Sequence, residues 1–286
     1  MLEFIHVDVF ASGPYSGNPL PVFLGGQSLS PTQMLAITRE FRQFEAVFIE
    51  RTDDSSTVRA RVFDLIEELP FAGHPLLGAA ATLHHEMNES SQRDWTLIVG
   101  NRRVAIRTRC TDSGVEARMD QGRPAFGATV ADRNRVAEAF SLSPADLVTH
   151  LPLQLVSTGL VYLVVPVRAE ALARAHIVTD ISSMLADYGA QYAVLLDEDN
   201  VEVRHWNNDG LLEDVATGSA AGTIGAYRLK HGLVRAAQEF TVQQGRFAGR
   251  PSQLRVVAYG SSESIESVSV GGSVVVLGRG RLERLP

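Results

Sequence analysis

The chain has 286 residues, of which 45% are apolar and 21% charged, a composition suited to two soluble domains with their own cores. A formal charge of -7 argues against a nucleic-acid surface, which needs clustered positive charge. The longest apolar runs are strand-sized, Met1 leads into a strand-like alternation with no signal-peptide pattern, and the lone Cys110 permits no internal disulfide. A cytoplasmic protein with no membrane partner is expected.

Short β-branched or aromatic runs, often alternating, predict strands at 4–10, 46–50, 57–63, 95–99, 103–108 and 115–119. The second half adds 160–167, 191–196, 201–206, 239–243, 253–258 and 264–270, and a last strand at 273–282 should rejoin the first domain. Ser30-Pro31-Thr32 opens a helix running to about Phe41, with Ser30 as N-cap and Pro31 at the first helical position. Ser143-Pro144 and residues 179–186 suggest two others, while Gly271-Gly272 and Gly278 read as strand-end punctuation. A boundary near Gly122 to Pro124 gives domains of 1–122, with 273–286 returning to it, and 123–272.

Two segments 145 residues apart look like copies of one part: EELPFAGHPLLGAA from Glu67 and LEDVATGSAAGTIG from Leu212. Glu68 falls on Glu213, Gly73 on Gly218 and His74 on Ser219, and the register holds without a gap from Val58 on Val203 to Gly100 on Gly245. Each segment enters a predicted helix, 74–86 and 219–231, that is apolar nearly all round and rich in Gly and Ala. Such a helix must be buried on every side. The fold class expected is α+β, two pseudo-symmetric domains, each a barrel-like mixed sheet wrapped round one central helix. The βαβα rhythm of a doubly wound sheet is missing.

The helix entries are the first candidates for chemistry. A helix N-terminus has free N–H groups and partial positive charge, so it suits a carboxylate, and Gly73 and Gly218 allow close backbone approach. Gly-Pro and Thr-Gly-Ser are also plain helix starters, but equivalent placement of the two favours a site. Glu45, flanked by Phe44, Val47 and Phe48, is placed where burial would disfavour its charged form and suit a general base. Its plain alternative is a partly exposed strand-edge Glu. Asp214, beside Glu213, is a site group or compensation for the helix dipole. His84-His85 cannot both face one metal from a helix, and no zinc or phosphate-loop motif is present.

SGNPLPVF from Ser16, the Glu45 strand, ELPFAGHPLLGAA, EDVATGSAAG and GRPS from Gly249 follow one another along the chain. Together they resemble the PhzF-like isomerases of phenazine biosynthesis, which share the diaminopimelate epimerase fold. The resemblance implies an active site formed by both domains, with Glu45, His74, Asp214 and Ser219 as catalytic residues. Asn18, Gly73 and Gly218 would bind substrate, a small carboxylate. It further implies a homodimer and a reaction of the trans-2,3-dihydro-3-hydroxyanthranilate isomerase type, with no metal or organic cofactor. Epimerases of this fold use two thiols, which His74 and Ser219 at the helix entries exclude here. Departures from the family pattern at Phe44, Asp64, Leu65 and Val215 motivate one alternative, a non-catalytic small-acid-binding or scaffold member. Closure of the two halves around a small anion, with a hinge near Gly122 to Pro124, is also expected.

Overall fold

A computed structural model of the chain describes residues 1–87, 91–112 and 114–286. In chain order its strands are β1 (Leu2–Val9), β2 (Asn18–Leu24), β3 (Glu45–Arg51), β4 (Thr57–Asp64), β5 (Glu68–Leu69), β6 (Gln92–Val99), β7 (Arg102–Thr111) and β8 (Gly114–Asp120). They continue as β9 (Ala125–Thr129), β10 (Gln154–Ser157), β11 (Val161–Pro166), β12 (Tyr192–Asp197), β13 (Glu202–Arg204), β14 (Phe240–Gln244), β15 (Ser252–Gly260) and β16 (Ile265–Leu282). The α-helices are α1 (Pro31–Phe41), α2 (Gly73–Met87), α3 (Arg133–Ala139), α4 (Ala169–Arg174), α5 (Ser182–Tyr188) and α6 (Gly218–Lys230). Two compact units result: Met1–Met119 with Gly271–Pro286, and Asp120–Val270.

In the first unit, strands β1, β2, β3, β4, β6, β7, β8 and β16 neighbour one another in that order, and β16 pairs back onto β1, closing a barrel. Helix α2 fills it. Pro75 to His84 are all buried, so the helix has no polar face to offer water. Gly78 makes the fit possible: a Cβ there would collide with Leu20 of β2 and come within 3.0 Å of Val9 of β1. On the outer face, α1 seals the sheet through a cluster of rings, with Phe23 stacked on Phe48 at 4.6 Å and edge-on to Phe41 at 5.1 Å. Ser30 and Gln33 cap α1 reciprocally, and Pro31 stands at its start.

The second unit repeats the plan. Pairings β1–β2, β2–β3, β3–β4, β4–β6 and β6–β7 run antiparallel, parallel, antiparallel, parallel, antiparallel. So do β10–β11, β11–β12, β12–β13, β13–β14 and β14–β15. Helix α6 is the enclosed element, buried from Ala220 to Leu229, with Gly225 against Val256 and Val268. A separate apolar layer, including Val136, Phe140, Leu172 and Leu185, covers the outer face of β11 and β12 through Leu163, Val165 and Leu195.

Several local expectations need correction. Gly271, Gly272 and Gly278 do not end strands, because β16 runs unbroken from Ile265 to Leu282. At Gly271 the absent side chain admits a neighbour instead: a Cβ there would lie 2.5 Å from the Ala117 carbonyl oxygen. Ser143-Pro144 opens only a 3-10 turn, Pro144–Asp146. The strand expected at 201–206 is confined to Glu202–Arg204, with Trp206 making an isolated bridge to Glu213. Among the described residues no helix is long and apolar enough to cross a membrane.

Gly78 tests the enclosed-helix packing. Gly78→Val should destabilise the first unit by about 1–3 kcal/mol through overpacking against Leu20 and Val9. Urea unfolding measures this, and an unchanged midpoint would contradict the packing described.

Candidate active site

One end of the first barrel gathers most of the expected groups. Glu45 begins β3 and is the register partner of Asp64, the last residue of β4. Asn18 begins β2, which lies parallel to β3, so both residues enter from the same end. His74 follows the first residue of α2, and its Nδ1 lies 3.4 Å from Glu45 Oε2. Both side chains are largely sheltered, 11% exposed for His74 and 19% for Glu45. The loop leading to α2 is stiffened locally: Ile66 and Glu67 amides donate to Asp64 Oδ1, and Arg61 pairs with Glu68 through two bonds of 2.8 and 2.6 Å.

The loop before Asn18 is held just as firmly. Ser16 Oγ accepts from the Ser12 and Gly13 amides and donates to the Gly13 carbonyl, and the fully buried Asp8 accepts from the Tyr15 amide at 2.8 Å. Gly17 has φ +72, and a Cβ on it would strike the Val9 carbonyl oxygen, so glycine is required before Asn18. At Gly73, by contrast, a Cβ would meet only Met119 Cε at 3.7 Å, so the protein's own packing does not demand glycine there.

The second unit builds a different cluster on the same plan. Helix α6 starts at Gly218, and its first internally satisfied amide is that of Ala221, bonded to Thr217 O at 3.0 Å. The Gly218, Ser219 and Ala220 amides therefore have no acceptor one turn back, which leaves a partly positive helix end. Asp214 is fixed beside it: Thr217 Oγ1 donates to Oδ2 at 2.6 Å and the Ala216 amide to Oδ1 at 3.1 Å. Gln244, almost fully buried, clamps this loop by accepting from the Thr217 amide and donating to Asp214 O and Thr217 Oγ1. Glu213 faces elsewhere, held by Arg204 through bonds of 2.9 and 2.7 Å. The Arg204–Glu213 pair occupies the place that Arg61–Glu68 has in the first unit, its arginine two residues out of the 145-residue register, because Glu213 lies opposite Trp206 as Glu68 lies opposite Phe63.

Three aromatic side chains line the strand ends beside Ser219. Tyr162 and Tyr192 are register partners in the parallel pair β11–β12, and their rings lie 5.6 Å apart. Tyr162 Oη is 2.8 Å from Ser219 Oγ. His205 meets both rings edge-on and its Nδ1 is 2.9 Å from the Ala193 carbonyl oxygen, so Nδ1 carries the proton in the neutral ring. Burial pushes the Tyr162 phenol well above the usual tyrosine range, outweighing its bond to Ser219, and Asp214 and Tyr192 push the same way. Burial also pulls the His205 imidazole below the usual histidine value, against the opposing pull of Asp214 and the Ala193 carbonyl.

Sequence reasoning thus located Glu45, His74 and Asn18 in one unit, and Gly218, Ser219 and Asp214 in the other. It missed Tyr162, His205 and Gln244. Gln244 left a faint signal as a polar residue in a strand, while Tyr162 and His205 sit in runs that read as ordinary strands. The Cys110 Sγ lies 3.6 Å from Nε2 of His84, a buried residue of α2.

Residues 7–280 match the family model described as phenazine biosynthesis-like protein. The chain belongs to this family. It is similar to the trans-2,3-dihydro-3-hydroxyanthranilate isomerase of Pseudomonas fluorescens, 30% identical, with 99% of each chain aligned. The "predicted epimerase" structure from Pseudomonas aeruginosa superposes with a TM-score of 0.90 and 48% identity, covering 99% of this chain and 100% of that one. The Bacillus anthracis phenazine biosynthesis protein of the PhzF family shares the fold, with a TM-score of 0.85, 22% identity and 99% of each chain covered. The phenazine biosynthesis-like family is one of isomerases, and this chain is an isomerase of that type.

His205 generates a pH prediction. Its depressed folded pKa means that the unfolded chain binds the proton first as pH falls. Stability contributed by the neutral ring is therefore complete above the ordinary value of about 6.5 and is lost as pH drops toward the lower folded value. His205→Gln should flatten this acid-side loss. Urea midpoints measured between about pH 7.5 and about pH 5.5 read it, and parallel profiles for the two proteins would contradict it.

Proposed function

We propose that the protein is a cofactor-independent isomerase that moves a proton between carbons of a small carboxylated acid. The substrate is cyclic, bears an amino or hydroxyl group, and is of the trans-2,3-dihydro-3-hydroxyanthranilate type. Glu45 is the single general base and acid. The observation that carries this reading is the asymmetry of the duplicated units. Glu45 stands sheltered beside His74, while the carboxylate of the second unit, Asp214, is engaged on both oxygens by its own loop through Thr217 and Ala216.

In this mechanism the Glu45 carboxylate removes a proton from a saturated ring carbon. The electron pair of that C–H bond enters the adjacent double-bond system, and the double bond shifts. The protonated Glu45 then delivers the proton to a second carbon on the same face, which restores the carboxylate. Atoms and electrons balance within the substrate and one side chain. A carboxylate is a competent base here only when sheltered from bulk water, which the limited exposure of Glu45 supports.

The other groups bind and orient. His74, 3.4 Å from Glu45, holds that carboxyl group in place and faces the amino or hydroxyl substituent. Gly218, Ser219 and the α6 helix end suit the substrate carboxylate. Asp214, oriented by the two hydrogen bonds it accepts, suits a substrate ammonium or hydroxyl. Asn18 and Gly73 complete the lining. Glu45→Gln removes the base while keeping the shape of the side chain. Turnover of trans-2,3-dihydro-3-hydroxyanthranilate should fall by about 10²-fold to 10⁴-fold with an unchanged melting transition. Near-normal turnover by this variant would refute the assignment.

A further inference from the structure

We propose that Tyr162 is a positioning residue for the reaction: its phenol donates to Ser219 Oγ and so locks the Ser219 hydroxyl as a donor aimed at the substrate carboxylate. This rests on the reading that Ser219 and the α6 helix end receive a carboxylate.

The direction of the bond follows from a complete accounting of donors and acceptors. Tyr162 is 1% exposed, and Ser219 Oγ, at 2.8 Å, is the one hydrogen-bond partner of its hydroxyl among the described residues. The phenol also keeps its proton at neutral pH, because burial disfavours the phenolate. If Ser219 were the donor, a buried phenolic proton would have no acceptor, which is the costly arrangement. With Tyr162 as donor, the buried phenol is satisfied and the proton left to place belongs to Ser219, which is only partly buried. Ser219 Oγ then has an accepted bond and a proton still to place, and no acceptor for that proton occurs among the described residues. A hydroxyl that already accepts a hydrogen bond is a stronger donor. Beside the first-turn amides of Gly218, Ser219 and Ala220, it adds a donor to a helix end that the already engaged Asp214 flanks.

Tyr162 is itself held. Its ring packs against Tyr192 at 5.6 Å and against His205 at 5.5 Å, and His205 is tied through Nδ1 to the Ala193 carbonyl. The residue therefore acts through Ser219 and sets the polarity of the site, favouring an ionised acid over its neutral amide.

A double-mutant cycle with two probes, anthranilate and anthranilamide, tests the proposal by calorimetric Kd. Tyr162→Phe should reduce the preference for the acid by about 3-fold to 10-fold, since the Ser219 hydroxyl becomes free to turn. In a Ser219→Ala background the same substitution should leave that preference unchanged. Equal losses for both probes, or the same effect in both backgrounds, would indicate a merely structural tyrosine and overturn the proposal. A ligand-free measurement separates it from the carboxylate reading. The Raman ring doublet of Tyr162, taken as the difference between wild type and Ser219→Ala, should report a phenol that donates. A phenol that accepts overturns the positioning role whatever binds. If neither probe binds wild type while the phenol donates, the carboxylate reading of Ser219 fails, and the positioning role toward a carboxylate fails with it.

Discussion

Residues 75–84 of α2 and 220–229 of α6 are buried without interruption, and neither helix has a face that water can wet. Enclosure by strands is the arrangement that satisfies such a helix, and small residues at Gly78 and Gly225 set how closely the strands approach. The same enclosure hides the helix sides and leaves its first turn as the chemically open part. Backbone N–H groups there cannot be satisfied within the helix. In both units the chain therefore places a polar side chain, His74 or Ser219, at the first turn, the one place where an enclosed helix can meet a ligand.

Duplication supplies the frame, and divergence within it supplies the chemistry. Both units use the same succession of parallel and antiparallel pairings, and each anchors its pre-helix loop by an arginine–glutamate pair, Arg61–Glu68 or Arg204–Glu213. What differs is charge. The first unit sets a sheltered carboxylate, Glu45, against an imidazole. The second surrounds its helix entry with a phenol, a hydroxyl and a carboxylate already engaged by its own loop. A pair of symmetric proton-transfer groups suits inversion at one carbon, whereas a single carboxylate suits transfer between two carbons on one face.

The two central helices were legible in the sequence because composition alone decides them: no other arrangement buries a Gly/Ala-rich, all-apolar run. Helix α1 was legible through its Ser-Pro start. β2 was overlooked because Pro19 and Pro21 argue against a strand, yet both stand opposite β1 residues, Asp8 and His6. The continuity of β16 was hidden by its glycines, of which Gly271 and Gly280 serve close approach and none ends the strand. Helices α3 and α4, of 7 and 6 residues, are too short for periodicity to register. Among the candidate residues of the two units, Glu45, His74, Asp214 and Ser219 carried motif context. Tyr162, His205 and Gln244 owe their importance to partners far away in sequence, such as Ser219 for Tyr162, and no local pattern encodes that.

The central claim is that one carboxylate, Glu45, carries the proton between substrate carbons. Turnover of trans-2,3-dihydro-3-hydroxyanthranilate in deuterium oxide, with the product read by NMR and mass spectrometry, tests it most directly. The account predicts a C–H bond broken at one ring carbon and a new C–D or C–H bond at another, at a rate that collapses in Glu45→Gln. Isotope uptake at the wild-type rate in that variant, or a product whose C–H positions are unchanged, would contradict it.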